Sequence, residues 1–206
     1  VKRMPTCLVL MCTYNGERFL REQIDSVLAQ RGVDVTVKAA DDRSTDGTVA
    51  ILEEYRNKYD NFSYSVNPVN KNFTYNFLDL LFSVKETAYD YYAFCDQDDI
   101  WMPEKLAEAI GTIEARGQTP NGLLYCSNLR VSDMDGKELG LEEDESILRT
   151  NRCTYLYENI CTGCTTVFDR KFKDACTQYY PQGIRLHDHW LFLIAVYTAD
   201  MVYDMR

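Results

Sequence analysis

Apolar positions along the chain fall into two alternating spacings. Cys7 to Cys12 (CLVLMC) is unbroken, as in a strand covered on both faces. After Thr13-Tyr14-Asn15-Gly16 the spacing lengthens, and over Arg18–Gln30 the residues Phe19, Ile24, Val27 and Leu28 form one helical stripe. The pair then repeats, with Val35–Ala40 a strand, Asp41–Gly47 a loop, and Thr48–Tyr59 a helix through Val49, Ile51, Leu52 and Tyr55. Phe62–Val66 reads as a short strand, Asn76–Val84 as a helix, and Tyr91–Cys95 (YYAFC) as a buried strand running into Asp96-Gln97-Asp98-Asp99. Pro103 suits the first turn of a helix reaching Arg116. Alternation at these lengths predicts an α/β fold, a Rossmann-like, doubly wound, mostly parallel sheet.

Past Gly122 the rhythm changes. Leu123–Val131 is strand-like, Asp133-Met134-Asp135-Gly136 is a hairpin turn signal, and Glu138–Leu141 returns as its partner, a small antiparallel addition to the C-terminal half. The Asp-Gly ending makes this turn a poor second metal site despite its DxD spacing. Glu142–Asn159 has no clear period and reads as a long loop. Thr165–Asp169 is a further strand, Arg170–Tyr180 a helix, and His187-Asp188-His189-Trp190 opens a last helix through Leu191–Val196. The expected organisation is one domain over 1–206, with the rhythm dividing it into halves at 1–120 and 121–206.

Composition narrows the function. The 206 residues are 46% hydrophobic, enough for a full core, and the formal net charge of -10 argues against nucleic acid as a partner. Cys7, Cys12, Cys95 and Cys126 lie inside apolar runs, so the eight cysteines read as buried free thiols in a reducing, cytoplasmic setting. Cys161 and Cys164 form a lone CxxC without a second pair, a weak zinc signal. No apolar run approaches the roughly 18 residues of a membrane span, which leaves at most peripheral contact with the inner face of the plasma membrane.

Three polar clusters follow strand ends, where open parallel sheets bind their ligands. Asp96-Gln97-Asp98-Asp99 puts three carboxylates in four residues, and a hard divalent cation, Mg²⁺ or Mn²⁺, relieves their repulsion while bridging to a diphosphate. The plainer reading is an acidic helix start in solvent. Asp41 or Asp42 can accept from a pyrimidine imide N–H or a ribose hydroxyl, whereas Ser44, Thr45 and Asp46 also have the composition of a helix cap.

Thr13-Tyr14-Asn15, Asp41-Asp42-Arg43-Ser44-Thr45-Asp46-Gly47-Thr48 and Phe94-Cys95-Asp96-Gln97-Asp98-Asp99-Ile100-Trp101, in this order, resemble the family 2 glycosyltransferases of the GT-A fold. The DQDD-x-W form with Pro103 and Lys105 is most similar to rhamnosyltransferase-type members of bacterial polysaccharide biosynthesis. The resemblance implies an inverting transfer of a sugar, rhamnose among the candidates, from a dTDP- or UDP-linked donor to a hydroxyl of a saccharide or lipid-linked acceptor. It implies that Thr13, Tyr14, Asn15, Glu17, Asp41, Asp42, Asp96, Gln97 and Gly163 serve the nucleotide sugar. Asp98 and Asp96 would be the metal-binding DxD motif, with His187 or His189 orienting the base or, for His189, adding a ligand. Asp188 matches the general base that takes the acceptor's proton. Family members usually continue with further helices, so the C-terminal half is expected to be truncated. The competing classes are a non-catalytic nucleotide or metal-binding module, which needs no Asp188, and a sugar nucleotidyltransferase, which wants a basic Gly-rich loop after the first strand.

Overall fold

The computed structural model describes residues 3–85, 88–117, 119–133, 137–141 and 153–205. The chain runs β1 (Thr6–Thr13), α1 (Leu20–Leu28), β2 (Asp34–Asp41), α2 (Thr48–Lys58), β3 (Phe62–Val66), α3 (Asn72–Ser83), β4 (Tyr91–Cys95) and α4 (Lys105–Arg116). It continues through β5 (Leu123–Ser127), β6 (Arg130–Ser132), β7 (Glu138–Leu141), β8 (Val167–Asp169), α5 (Arg170–Cys176), α6 (His187–Thr198) and β9 (Asp200–Asp204).

The main sheet has seven strands in the order β3-β2-β1-β4-β8-β5-β9. Only β8 runs antiparallel to its neighbours β4 and β5. The sheet is mostly parallel because each of the first four strands is followed by a helix long enough to return the chain to the starting edge. Strand side chains alternate between faces. Cys7, Val9 and Met11 of β1 pack beneath α1, α2 and α4 through Ile24, Leu52 and Ile110, while Leu8, Leu10 and Cys12 pack beneath α3, α5 and α6 through Phe77, Phe172 and Phe192. Both faces are therefore covered, as the unbroken apolar run required.

Several expected boundaries move. The third helix starts at Asn72 rather than Asn76, because Asn72 takes φ 64° and its side-chain carbonyl accepts from the Tyr75 N–H at 3.3 Å. The span Leu123–Val131 is two strands. Asn128 turns its side-chain oxygen onto the Leu129 N–H at 3.0 Å, a local bond that competes with the ladder, and β6 leaves to pair with β7 as a separate hairpin. The turn residues Met134 to Gly136 and most of the loop expected over Glu142–Asn159 lie outside the described residues. The helix from Arg170 stops at Cys176, ahead of Tyr180, which precedes Pro181 and is biased away from helix. Strand β9 has no counterpart in the sequence expectation. Seven cysteines are buried and Cys153 is exposed, all free. Among the described residues no helix is long and apolar enough to cross a membrane.

Candidate active site

Strand β1 lies between β2 and β4, so the chain leaves it first toward β3 and then crosses to its other side. The loops leaving the C-terminal ends of β1, β2 and β4 share the rim where the strand order reverses. Burial drives the Cys12 thiol far above the ordinary range, reinforced by the charges of Asp96 and Asp42, so both acids lie close to the end of β1.

The first two loops are sewn together by their own side chains. Thr13 Oγ1 donates to Asp41 Oδ2 at 2.9 Å, and Asp41 Oδ1 accepts from the Ser44 N–H at 2.8 Å. Asp42 accepts from Asn67 Nδ2 at 3.0 Å and from the Lys71 N–H at 2.9 Å. Asn15 Oδ1 accepts from the Thr45 N–H, and Glu17 Oε2 from the Gly47 N–H, both at 2.8 Å. A β-carbon on Gly47 would stand 2.6 Å from Glu17 Cδ and would push the Glu17 carboxylate off the Gly47 N–H. Burial tends to raise the Asp46 carboxyl, but bonds from Thr48 and the Glu17 N–H outweigh it, and Asp46 is held below the usual range. Thr13, Asn15, Glu17, Asp41 and Asp42, expected to face the nucleotide, thus spend polar atoms on shaping the rim. Tyr14, 49% exposed, stands at the solvent surface of the same loop.

Gln97 bridges this rim to β4. Its Oε1 accepts from the Tyr14 N–H at 2.8 Å and its Nε2 donates to the Tyr14 carbonyl at 3.0 Å, so the amide closes a ring with one backbone residue. A β-carbon on Gly16 would lie 2.2 Å from Gln97 Oε1 and would displace this amide from its ring.

The β4 loop gathers the charge. Ligand atoms of Asp96, Asp99 and Cys164 all lie within 4.8 Å of one another. Asp99 Oδ2 is buried without a hydrogen-bond partner. Burial and then the like charges of Asp99, Asp98 and Asp188 push Asp96 up to about 7, so the cluster is short of positive charge. That is the electrostatic signature of a cation site with oxygen ligands. Asp96 and Asp99 fit a hard divalent cation; the Cys164 thiol, driven far up by burial, stays protonated and is a poor ligand for one. Asp98 is the exposed member of the motif, raised by burial and by Asp99.

Asp188 opens α6 and reaches the same cluster electrostatically, as its effect on Asp96 records. Its Oδ2 accepts from the Gly163 N–H at 3.0 Å and its Oδ1 from the His189 N–H at 2.7 Å. Burial raises this carboxyl, and the two N–H bonds only partly offset it. Gly163 lies against His187, whose Nε2 would be 3.0 Å from a β-carbon there. His189 does not join the acids: its Nε2 is 2.7 Å from the Tyr155 carbonyl. His187 is buried, stacked on Phe77 at 4.2 Å, and both ring nitrogens lack partners.

Sequence reasoning passed over Lys105 as a site residue. Its ammonium sits 3.7 Å from the centroid of the Trp101 ring and donates to the Cys164 carbonyl. A tryptophan and a lysine on the two sides of the Pro103 turn were the available signal. Trp101 itself is core, 4% exposed.

Residues 8–175 match the family described as Glycosyl transferase family 2. A dTDP-rhamnosyl transferase RfbG of Shigella flexneri is 33% identical over 193 residues, covering 90% of this chain and 64% of the relative. A putative glycosyltransferase EpsE of Bacillus subtilis is 33% identical over 111 residues, 53% of this chain and 39% of its own length. The chain thus spans less than two thirds of these relatives. Among solved structures, a mannosyltransferase PcManGT from Pyrobaculum calidifontis in complex with GDP-Man and Mn²⁺ superposes with TM-score 0.71 at 16% identity, covering 99% of this chain and 56% of that one. S. aureus TarS 1-349 in complex with UDP gives 0.69 at 21% identity, covering 96% and 57%. These structural likenesses carry the fold, GT-A.

Proposed function

Because this chain belongs to glycosyl transferase family 2 and is a glycosyltransferase, we propose that it moves a sugar, rhamnose first among the candidates, from a dTDP- or UDP-linked donor to a saccharide or lipid-linked hydroxyl, with inversion. The observation that carries this reading is the convergence of Asp96, Asp99 and Asp188 beside the switch point, acids from two distant segments felt by one another. The donor class is that of the dTDP-rhamnosyl transferase relative and of the UDP-bound structural neighbour.

In this reading residues 1–206 act as one catalytic unit. Tyr14 faces the nucleoside on a rim held by Gln97, Asn15, Glu17 and Asp41. Asp96 and Asp99, with Asp98 at the solvent edge, would hold a divalent cation, Mg²⁺ or Mn²⁺. When bound, the cation neutralises charge on the diphosphate leaving group. Asp188 takes the proton of the acceptor hydroxyl as that oxygen attacks the anomeric carbon opposite the departing diphosphate. The N–H groups of Gly163 and His189 fix the carboxylate's direction, and partial burial raises its basicity. Action at the inner membrane face in polysaccharide assembly fits an acceptor presented on lipid.

A melting experiment tests the donor site. At about 100 times Kd a ligand contributes about 2.7 kcal/mol, so dTDP or UDP with Mn²⁺ raises the melting temperature by roughly 5 to 10 °C for a chain of this size. GDP and CDP raise it less, each nucleotide alone does little, and Asp96→Ala or Asp98→Ala removes the gain. A panel in which neither pyrimidine nucleotide shifts the transition overturns the assignment.

A further inference from the structure

We propose that Lys105 is a positioning residue of the transfer, the strut that holds the Gly163–Thr165 turn, and through it the Asp188 carboxylate, in register with the Asp96–Asp99 loop. This rests on Asp188 being the base.

The strut stands on a fixed footing. The Trp101 N–H donates to Ser26 Oγ at 3.0 Å. Gln30 donates from Nε2 to the Met102 carbonyl at 2.8 Å and accepts at Oε1 from the Leu106 N–H at 3.0 Å. Ser26 of α1 and Gln30, just past its end, therefore lock the two residues before Pro103 and the start of α4. From that footing Lys105 rises along the Trp101 face, and its ammonium ends on the Cys164 carbonyl. Cys164 is buried within a single 3-10 turn whose first residue, Gly163, donates its N–H to Asp188 Oδ2. The turn packs over β4 and β5, while its own backbone N–H bonds close inside the segment, Thr165 on Thr162 and Thr166 on Gly163, so the Lys105 ammonium adds a polar tie that reaches it from α4. A charged donor to a buried carbonyl is among the stronger hydrogen bonds available. The same ammonium feels Asp96 and Asp99. One side chain thus touches the turn that donates to Asp188 and lies within the field of the Asp96–Asp99 loop, segments about 60 residues apart in sequence, the span of its own bond to Cys164 being 59. Without it, the acids remain but their spacing is no longer set, and small misplacements of reacting groups are costly in rate.

Lys105→Met keeps the stem over Trp101 and removes the donor; Lys105→Arg keeps both charge and donor. In the full chain, turnover of dTDP-rhamnose to dTDP with Mn²⁺ falls roughly 10- to 100-fold in the Met variant, dTDP affinity stays within about 3-fold, and Arg restores most of the rate. Amide exchange, measured without metal or nucleotide, accelerates over residues 162–166 in the Met variant and not in the Arg variant. Should Met prove too destabilising, Lys105→Gln, whose amide falls short of the carbonyl, takes its place. Unchanged exchange over 162–166, or a rate loss matched by an equal loss of dTDP affinity, overturns the strut. Asp188→Asn separates the two readings: donor turnover that survives it strikes the base assignment, whereas a silent Lys105 beside an inactive Asp188→Asn strikes only the proposal made here.

Discussion

Both nitrogens of His187 are buried without partners between Phe77, Phe94 and Gly163, and burial lowers the imidazole from 6.5 to about 3. Above pH 6.5 folded and unfolded chains both carry it neutral, so it leaves no pH dependence there. As pH falls below 6.5 the unfolded chain binds a proton that the folded chain refuses, and stability drops by about 1.4 kcal/mol per pH unit until about pH 3. Asp96 acts with the opposite sign. Its folded value of about 7 lies above the ordinary 3.8, so between these limits the folded chain holds a proton the unfolded chain lacks, and acidification stabilises. Between about pH 6.5 and pH 4.5 these two contributions therefore nearly cancel. His187→Phe unmasks the Asp96 contribution, and its unfolding free energy from urea titrations rises relative to wild type by about 1.4 kcal/mol for each unit of acidification. Parallel curves for the two proteins would contradict this account. None of it was readable in the HDHW string, because a histidine's partners are supplied by distant segments. The same holds for Thr13, Asn15 and Glu17. Their residue types marked a functional loop, but that they bind Asp41, Thr45 and Gly47 is a matter of tertiary placement.

At the scale of elements, legibility followed burial. β1, β2 and β4 are covered on both faces and announce themselves as apolar runs, and α1, α2 and α4 carry clear stripes. β8 and β9 escaped or blurred because one is three residues long and the other is an edge strand with every residue only partly buried. A short central strand needs a firm anchor, and β8 has one. Asp169 ends it and caps α5 by accepting from the Phe172 N–H at 2.8 Å. Gly122, at φ 81°, makes room, since a β-carbon there would sit 2.0 Å from the Phe172 nitrogen. Asp169→Ala lowers unfolding free energy by about 1 to 2 kcal/mol in denaturant titrations, and a loss below about 0.3 kcal/mol would show that the cap does not hold the strand. The acidic motif after β4 was legible as chemistry. Its counterpart at Cys164 was not, because a carbonyl that receives a lysine carries no side-chain signature.

For the whole molecule, the governing feature is the insertion of β8 between β4 and β5. Residues 6–95 supply the contiguous block β3-β2-β1-β4, and β5 with β9 forms a second parallel pair. Three residues, Val167–Asp169, join them. The Gly163 turn and α6, which carries Asp188, flank this joint in sequence, so the two halves of the proposed site are brought together by the same event that completes the sheet. On the ribosome this imposes a timetable. The open backbone edge of β4 emerges more than 70 residues ahead of the strand that caps it, leaving the nascent chain with an adhesive border in the interim.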